Sequence, residues 1–267
     1  MRNPEHEDRE FAIRCGHPVS TLGLTFYPIL MREYRKFLSC KDSLILRLKS
    51  LPVRFQFMDF MTDVFMFDVE LAKSGKSSGL FFGLLNMTYL ALRTNPTLEE
   101  IQRGILVKNG GDNPVLDSVV FKQNGKEIAI SPVQFSAQIR PLIAQQNGLE
   151  LPDESENIDL VRANEEKKRI NQSGVKLNVD PDVLVSSVAY QSRVRESEIY
   201  ESWTVREFER RREAIERDKN FMLYAQAQLS GMVEFKNGNP HPSWCFDVED
   251  NSLGTVPLSS VGKKLNK

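Results

Sequence analysis

Apolar positions fall along this chain in blocks of two different periods. From Ser20 to Met31, "STLGLTFYPILM", they alternate among β-branched and aromatic residues, which predicts a strand or two. "REYRKFLSC" (32–40) shifts to helical spacing, and Pro52 ends a second short helical piece, "KDSLILRLKS". "RFQFMDFMTDVFMFDVELAK" (Arg54 to Lys73) carries apolar side chains around most of a helix, with Asp59, Asp63 and Glu70 on the remaining face. A helix apolar over so wide an arc buries against several neighbours. Its Phe and Met content also suits an adaptable recognition groove, so Phe57, Met58, Met61 and Phe65 are candidates for partner binding. "GLFFGLLNMTYLALR" (Gly79 to Arg93) falls short of the roughly 20 residues a bilayer span needs and reads as a buried helix.

Asn95 as N-cap with Pro96 at the first helical position predicts a short helix over "NPTLEE". Asn124-Gly125, between the alternating "SVVFKQ" and "KEIAIS", predicts a type I′ hairpin, because both residues tolerate positive φ. Ser131 and Pro132 open a further helix, with Val133, Phe135, Ile139, Leu142 and Ile143 near one face. Pro141 should kink that helix and Gly148 should close it.

Charge replaces apolar periodicity from Leu151 to Gly174, and helical spacing resumes at "DPDVLVSSVAYQSR". Thr204 with Glu207 forms a capping box for a helix from Val205 to about Ser230, terminated by Gly231. That helix carries a column at seven-residue spacing: Phe208, Ile215, Met222 and Leu229. The following "GMVEFKNGNPHPSWCFD" offers Trp244 and Phe246 to fold back over the helix end. These two are either a lid on the core or, if exposed, anchors for a partner. The expected fold is α+β: a mixed domain over 11–150 with a small antiparallel sheet and buried helices, and a charged linker or exposed helix over 151–175. A smaller all-helical domain over 176–247 and a polar, disordered tail over 248–267 complete it.

Composition narrows the function. The 267 residues carry 35 Lys and Arg against 36 Asp and Glu, a net charge of -1 that gives no global field for nucleic acid or an anionic membrane. Within "REFERRREAIERDK" the charges nearly cancel, as on a solvated helix face. Three scattered cysteines, Cys15, Cys40 and Cys245, fit neither a disulfide framework nor zinc spacing, and they point to a reducing cytoplasm. The opening "MRNPEHEDRE" has no apolar run of the kind a secretory leader needs.

Candidate chemistry is sparse. "AKSGKSSG" contains the Gly-Lys-Ser of a phosphate loop, but Glu70 stands where the first glycine is required. Cys245 as nucleophile with His241 and Asp247 would need hydrogen-bond proximity that a Pro-bracketed stretch does not provide locally. A zinc site from Cys15, His17, His241 and Cys245 would require the termini to meet. No catalytic residue, cofactor or metal is expected.

Taken in order, "YPILMREYRKFLSC", "FSAQIRPLIAQQNGLELPDE" and "SGMVEFKNGNPHPSW" resemble the tail assembly chaperones of tailed bacteriophages and prophages of Gram-positive bacteria, over about Thr25 to Asp247. The resemblance implies a non-enzymatic protein of the host cell cytoplasm. Such a protein binds the phage tape-measure protein, and in some measure the tail-tube protein, with no role for nucleic acid or membrane. A structural tail or baseplate component retained in the virion is the alternative.

Overall fold

The computed structural model describes residues 4–108, 114–155, 159, 163, 180–230 and 243–245. The fold is α+β. The chain divides into two compact units, one of Met1–Ile158 with Val179–Glu209 and one of Asp159–Asn178 with Arg210–Lys267.

The first unit opens with helix α1 (Pro4–Arg14), which buries Ile13. Strands β1 (Val19–Thr21) and β2 (Leu24–Phe26) form a hairpin whose turn residues, Leu22 and Gly23, both take positive φ. Helices α2 (Tyr34–Leu44), α3 (Phe60–Lys73), α4 (Leu80–Leu92) and α5 (Leu98–Gly104) follow. The expected second helical piece after Cys40 is absorbed into α2, which runs on to Leu44 before a 3₁₀ turn at Leu48–Ser50. The short helix begins two residues later than expected. Thr97, not Asn95, is its cap, because Thr97 and Glu100 satisfy each other's backbone amides.

Helix α5 passes straight into β3 (Ile105–Lys108), which pairs with β4 (Val115–Gln123), which pairs with β5 (Lys126–Ile130), all antiparallel. Asn124 and Gly125 sit at φ 52° and 77°, as a type I′ turn requires. Val119, Phe121 and Gln123 alternate inward. A bulge leaves Asp117 without a pairing partner, and this shifts the phase so that Leu116 is buried as well.

The next helical stretch has three pieces: α6 (Pro132–Gln134), a π turn (Phe135–Ile139) and α7 (Arg140–Gln146). Ser131 caps it through a reciprocal bond with Gln134, and Gly148 ends it at φ 70°. The irregularity expected from Pro141 takes the form of the π turn, in which the Arg140 amide bonds back five residues to Phe135. Helices α8 (Pro181–Ser192), α9 (Glu196–Ser202) and α10 (Val205–Leu229) complete the described elements. Among the described residues no helix is long and apolar enough to cross a membrane.

The expected division at 151–175 is corrected by the packing of 180–209, which belongs to the first unit. One extended segment, Thr25–Met31, explains why. The Val205 amide donates to Ile29 O at 2.8 Å, and the Met31 amide donates to Trp203 O at 2.9 Å. Phe208 is fully buried and meets the Tyr34 ring edge-on at 5.5 Å. On its other side the same segment is held by buried side-chain amides instead of a neighbouring strand. Gln123 accepts from the Thr25 amide and donates to Thr25 O, both at 2.8 Å, and also donates to Leu92 O. Asn147 accepts from the Ile29 amide at 2.9 Å, and Gln146 donates to Phe26 O at 3.1 Å. Three amides thus do the work of a β-ladder, because interior backbone groups must be paired.

A second polar joint lies at Arg140. Its guanidinium is buried, donates to Leu44 O and Leu46 O at 2.8 Å each, and lies 3.4 Å from the Phe60 ring centroid. It therefore closes the C-terminal end of α2 and anchors the start of α3. Burial pulls its pKa down to about 10.

Candidate functional site

The four partner candidates from the Arg54–Lys73 run do not share a surface. A 3₁₀ turn (Val53–Phe55) ends before Asp59, whose carboxylate accepts from the Thr62 amide and starts α3 at Phe60. The run is therefore not one helix, and Phe57 and Met58 lie ahead of its cap. They are 78% and 52% exposed, with Val53 exposed beside them in sequence. Met61 and Phe65, in the first and second turns of α3, are buried, Phe65 edge-on to Phe81 at 5.1 Å. These two belong to the core and are withdrawn from the candidate surface.

Asp63 holds the exposed segment in place by accepting from the Met58 amide at 3.1 Å. Burial raises its carboxyl pKa above the ordinary value, and the Met58 amide opposes that rise.

In the second unit, α10 carries the rest of the seven-residue column. Met222, Leu223 and Leu229 are 50%, 63% and 87% exposed. Met222 and Leu229 lie seven residues apart with Leu223 beside Met222, so they share one side of the half of α10 that follows the charged run ending at Lys219. Trp244 is 63% exposed, which corrects the expectation that it buries as a lid. Phe246, His241, Asp247 and the Gly231 terminator lie outside the described residues.

The phosphate-loop reading has a physical answer. Gly75 and Gly79 of the α3–α4 loop both take positive φ, as in an anion-binding turn. The start of α4 is already occupied by Asp68, whose carboxylate accepts from the Phe81 amide at 2.8 Å and from Ser78 Oγ. An internal carboxylate thus sits where an anion would sit. Cys15 and Cys245 are exposed and Cys40 is buried. Among the described residues no three His, Cys, Asp or Glu side chains form a metal-holding group.

Two neighbouring clefts in the first unit have no counterpart in the sequence reading. One, of about 500 Å³, lies between the end of α4, α5 and the β4–β5 hairpin; the other, of about 250 Å³, lies between α4 and the residues leading into α2. Both are lined by Tyr89, Thr94 and Asn95. Nothing in the local pattern distinguishes Tyr89 from the other apolar residues of α4, so sequence spacing offered no signal for it. Compared with family models, with curated proteins and with solved structures, the chain finds no match.

Proposed function

We propose that this chain is a non-enzymatic tail assembly chaperone that binds a phage tape-measure protein in the host cytoplasm and keeps it competent for tail-tube assembly. The observation that carries the reading is the exposed stripe of Met222, Leu223 and Leu229 on α10, in the region next to the phrase "SGMVEFKNGNPHPSW". Exposed apolar residues along one side of a helix suit a helical client, because the client's own apolar face covers them. Fully covering a side chain of this size contributes about 1.5–3 kcal/mol. Three such residues supply a useful part of an affinity without locking the client in place. Met222 adds adaptability toward a client of varied sequence. The exposed Phe57 and Met58 are a second apolar element of the same kind in the first unit.

Co-expression with the tape-measure protein tests the proposal. The expected result is a soluble complex on size exclusion, lost when Met222 and Leu229 are both changed to Glu in a chain that otherwise melts normally. A tape-measure protein that stays insoluble beside the wild-type chain overturns it. Stoichiometric recovery of the chain from purified virions would instead favour a structural tail component.

A further inference from the structure

The smaller cleft, of about 250 Å³ between the end of α4 and the residues leading into α2, carries a charge that its surroundings do not balance. Arg32, Lys36 and Arg93 line it against a single carboxylate, Glu33, which pairs with Lys36 at 2.8 Å. Two guanidinium charges are left over. The Arg32 side chain has no hydrogen-bond or ion-pair partner among the described residues. Arg93 lies 4.5 Å from the Tyr27 ring centroid, a neutral contact that orients the guanidinium and cancels none of its charge. By contrast, Arg35 is matched by Asp180 and Asp182, Arg54 by Glu70 and Arg103 by Glu99. The helix ends around the cleft favour an anion as well. Arg32 stands in the 3₁₀ turn Met31–Glu33 that runs directly into α2, where the helix dipole attracts an anion and disfavours a cation. The opposite pole, at the end of α4, would repel an anion if its carbonyls were free. They are engaged: Tyr89 O by the Thr94 amide, Leu90 O by the Arg93 amide, Ala91 O by the Tyr27 amide and Leu92 O by Gln123 Nε2.

We propose that this cleft binds the phosphoryl group of a small phosphate monoester, held by the Arg32 and Arg93 guanidiniums with Lys36 at the rim. Charge selects that ligand class. Three cations against one carboxylate leave a surplus of two, which a monoester close to its dianionic form at neutral pH offsets. A carboxylate or a phosphodiester brings only one negative charge. The planar guanidinium fork also matches paired phosphoryl oxygens. The body of the ester has a place of its own, because the cleft shares Tyr89, Thr94 and Asn95 with the neighbouring cleft of about 500 Å³. There the cations are matched, Arg103 by Glu99 and Lys122 by Glu127 at 3.7 Å, so that cleft suits an uncharged group. The site belongs to the first unit alone and stands whether or not the chaperone reading holds.

The test is titration of the full-length chain with inorganic phosphate and with phenyl phosphate, at neutral pH and constant ionic strength, followed by amide shifts in heteronuclear NMR. Both probes should give saturable shifts, and phenyl phosphate should bind more tightly because its ring enters the neighbouring cleft. Arg32→Gln should weaken both by about tenfold or more, the loss of a charge-assisted hydrogen bond. Arg32 is exposed and unpaired, so this variant should melt as wild type does. Adding Arg93→Gln should abolish saturation, whereas Arg103→Gln should leave the affinity for inorganic phosphate unchanged. Acidification below about pH 6, where the monoester takes up a proton, should weaken binding in the wild-type chain. Absence of saturable shifts overturns the proposal, as do shifts that sodium chloride reproduces or an affinity unchanged in Arg32→Gln. Equal affinity for the two probes would make free phosphate the occupant and overturn the ester.

Discussion

The two halves of α10 carry the same pattern and meet different fates. Phe208 and Leu229 stand in one column at seven-residue spacing, yet Phe208 is fully buried and Leu229 is 87% exposed. The difference lies in what comes to meet each half. Phe208 belongs to the first unit, where Tyr34 packs on its ring and Tyr34 Oη donates to Glu209 at 2.6 Å. Leu229, Met222 and Leu223 lie in the half assigned to the second unit and remain open to solvent. Periodicity therefore identifies a face, and only the tertiary partners decide whether that face is core or contact surface.

The sharpest way to break this contrast is a pair of truncations. Phe208→Ala should lower the stability of the first unit by about 3–5 kcal/mol. Leu229→Ala, at an exposed position, should stay within about 0.5 kcal/mol. Denaturant unfolding of both variants checks the pair, and equal losses would mean that the distal stripe is core after all.

A similar contrast separates buried polar joints from exposed ones. Gln123→Leu keeps the volume of the side chain and orphans the Thr25 amide and carbonyl, so it should cost about 1–3 kcal/mol for each group left unpaired. Arg35→Ala breaks bonds to Asp180 and Asp182, but all three side chains are largely exposed, and its melting curve should overlay the wild type. A Gln123→Leu variant as stable as wild type would show that the amide ladder is incidental to the fold.

Close backbone approach gives a third, smaller effect. A Cβ at Gly104 would lie 2.8 Å from Val120 O, a backbone atom that cannot rotate away. Gly104→Ala should therefore cost about 1–3 kcal/mol through displacement of α5 from β4. Gly125→Ala meets no atom and loses only the comfort of its positive φ.

These contrasts also mark what the amino-acid pattern could reveal. The Asn124-Gly125 turn, the Ser131 cap and the Thr204–Glu207 capping box were legible because each depends on neighbours in sequence, and all three form. The placement of 180–209 was not legible, because it depends on bonds such as Val205 N to Ile29 O that join residues far apart in the chain. Gln123 reads locally as one polar residue at a hairpin end, and Tyr89 as one more apolar position of α4. Trp244 reads from its position in the chain as either a lid or an anchor, and its exposure depends on surroundings that no spacing rule encodes. The split of the Phe- and Met-rich run turned on one residue: Asp59 competes better as a cap than as a helix-interior residue, and α3 starts after it.

That split supplies the smallest expected effect, one of pH. Asp63 lies in the core half of the run and holds the exposed half by accepting the Met58 amide. Burial raises its folded-state pKa above the ordinary 3.8, with the Met58 bond working against the rise. The fold thus retains the proton at pH values where the unfolded chain has lost it. The contribution of Asp63 is fully present below 3.8 and is lost as pH rises through the folded-state value. Asp63→Asn removes the charge and keeps a carbonyl oxygen for the Met58 amide. Thermal melts from acid to neutral pH should show the variant losing less stability than wild type over that window and matching or exceeding it at neutral pH. A variant less stable at neutral pH would mean that the ionised carboxylate, and not merely an acceptor oxygen, positions Phe57 and Met58. The exposed apolar segment would then be an electrostatically held feature, and its presentation to a partner would itself depend on pH.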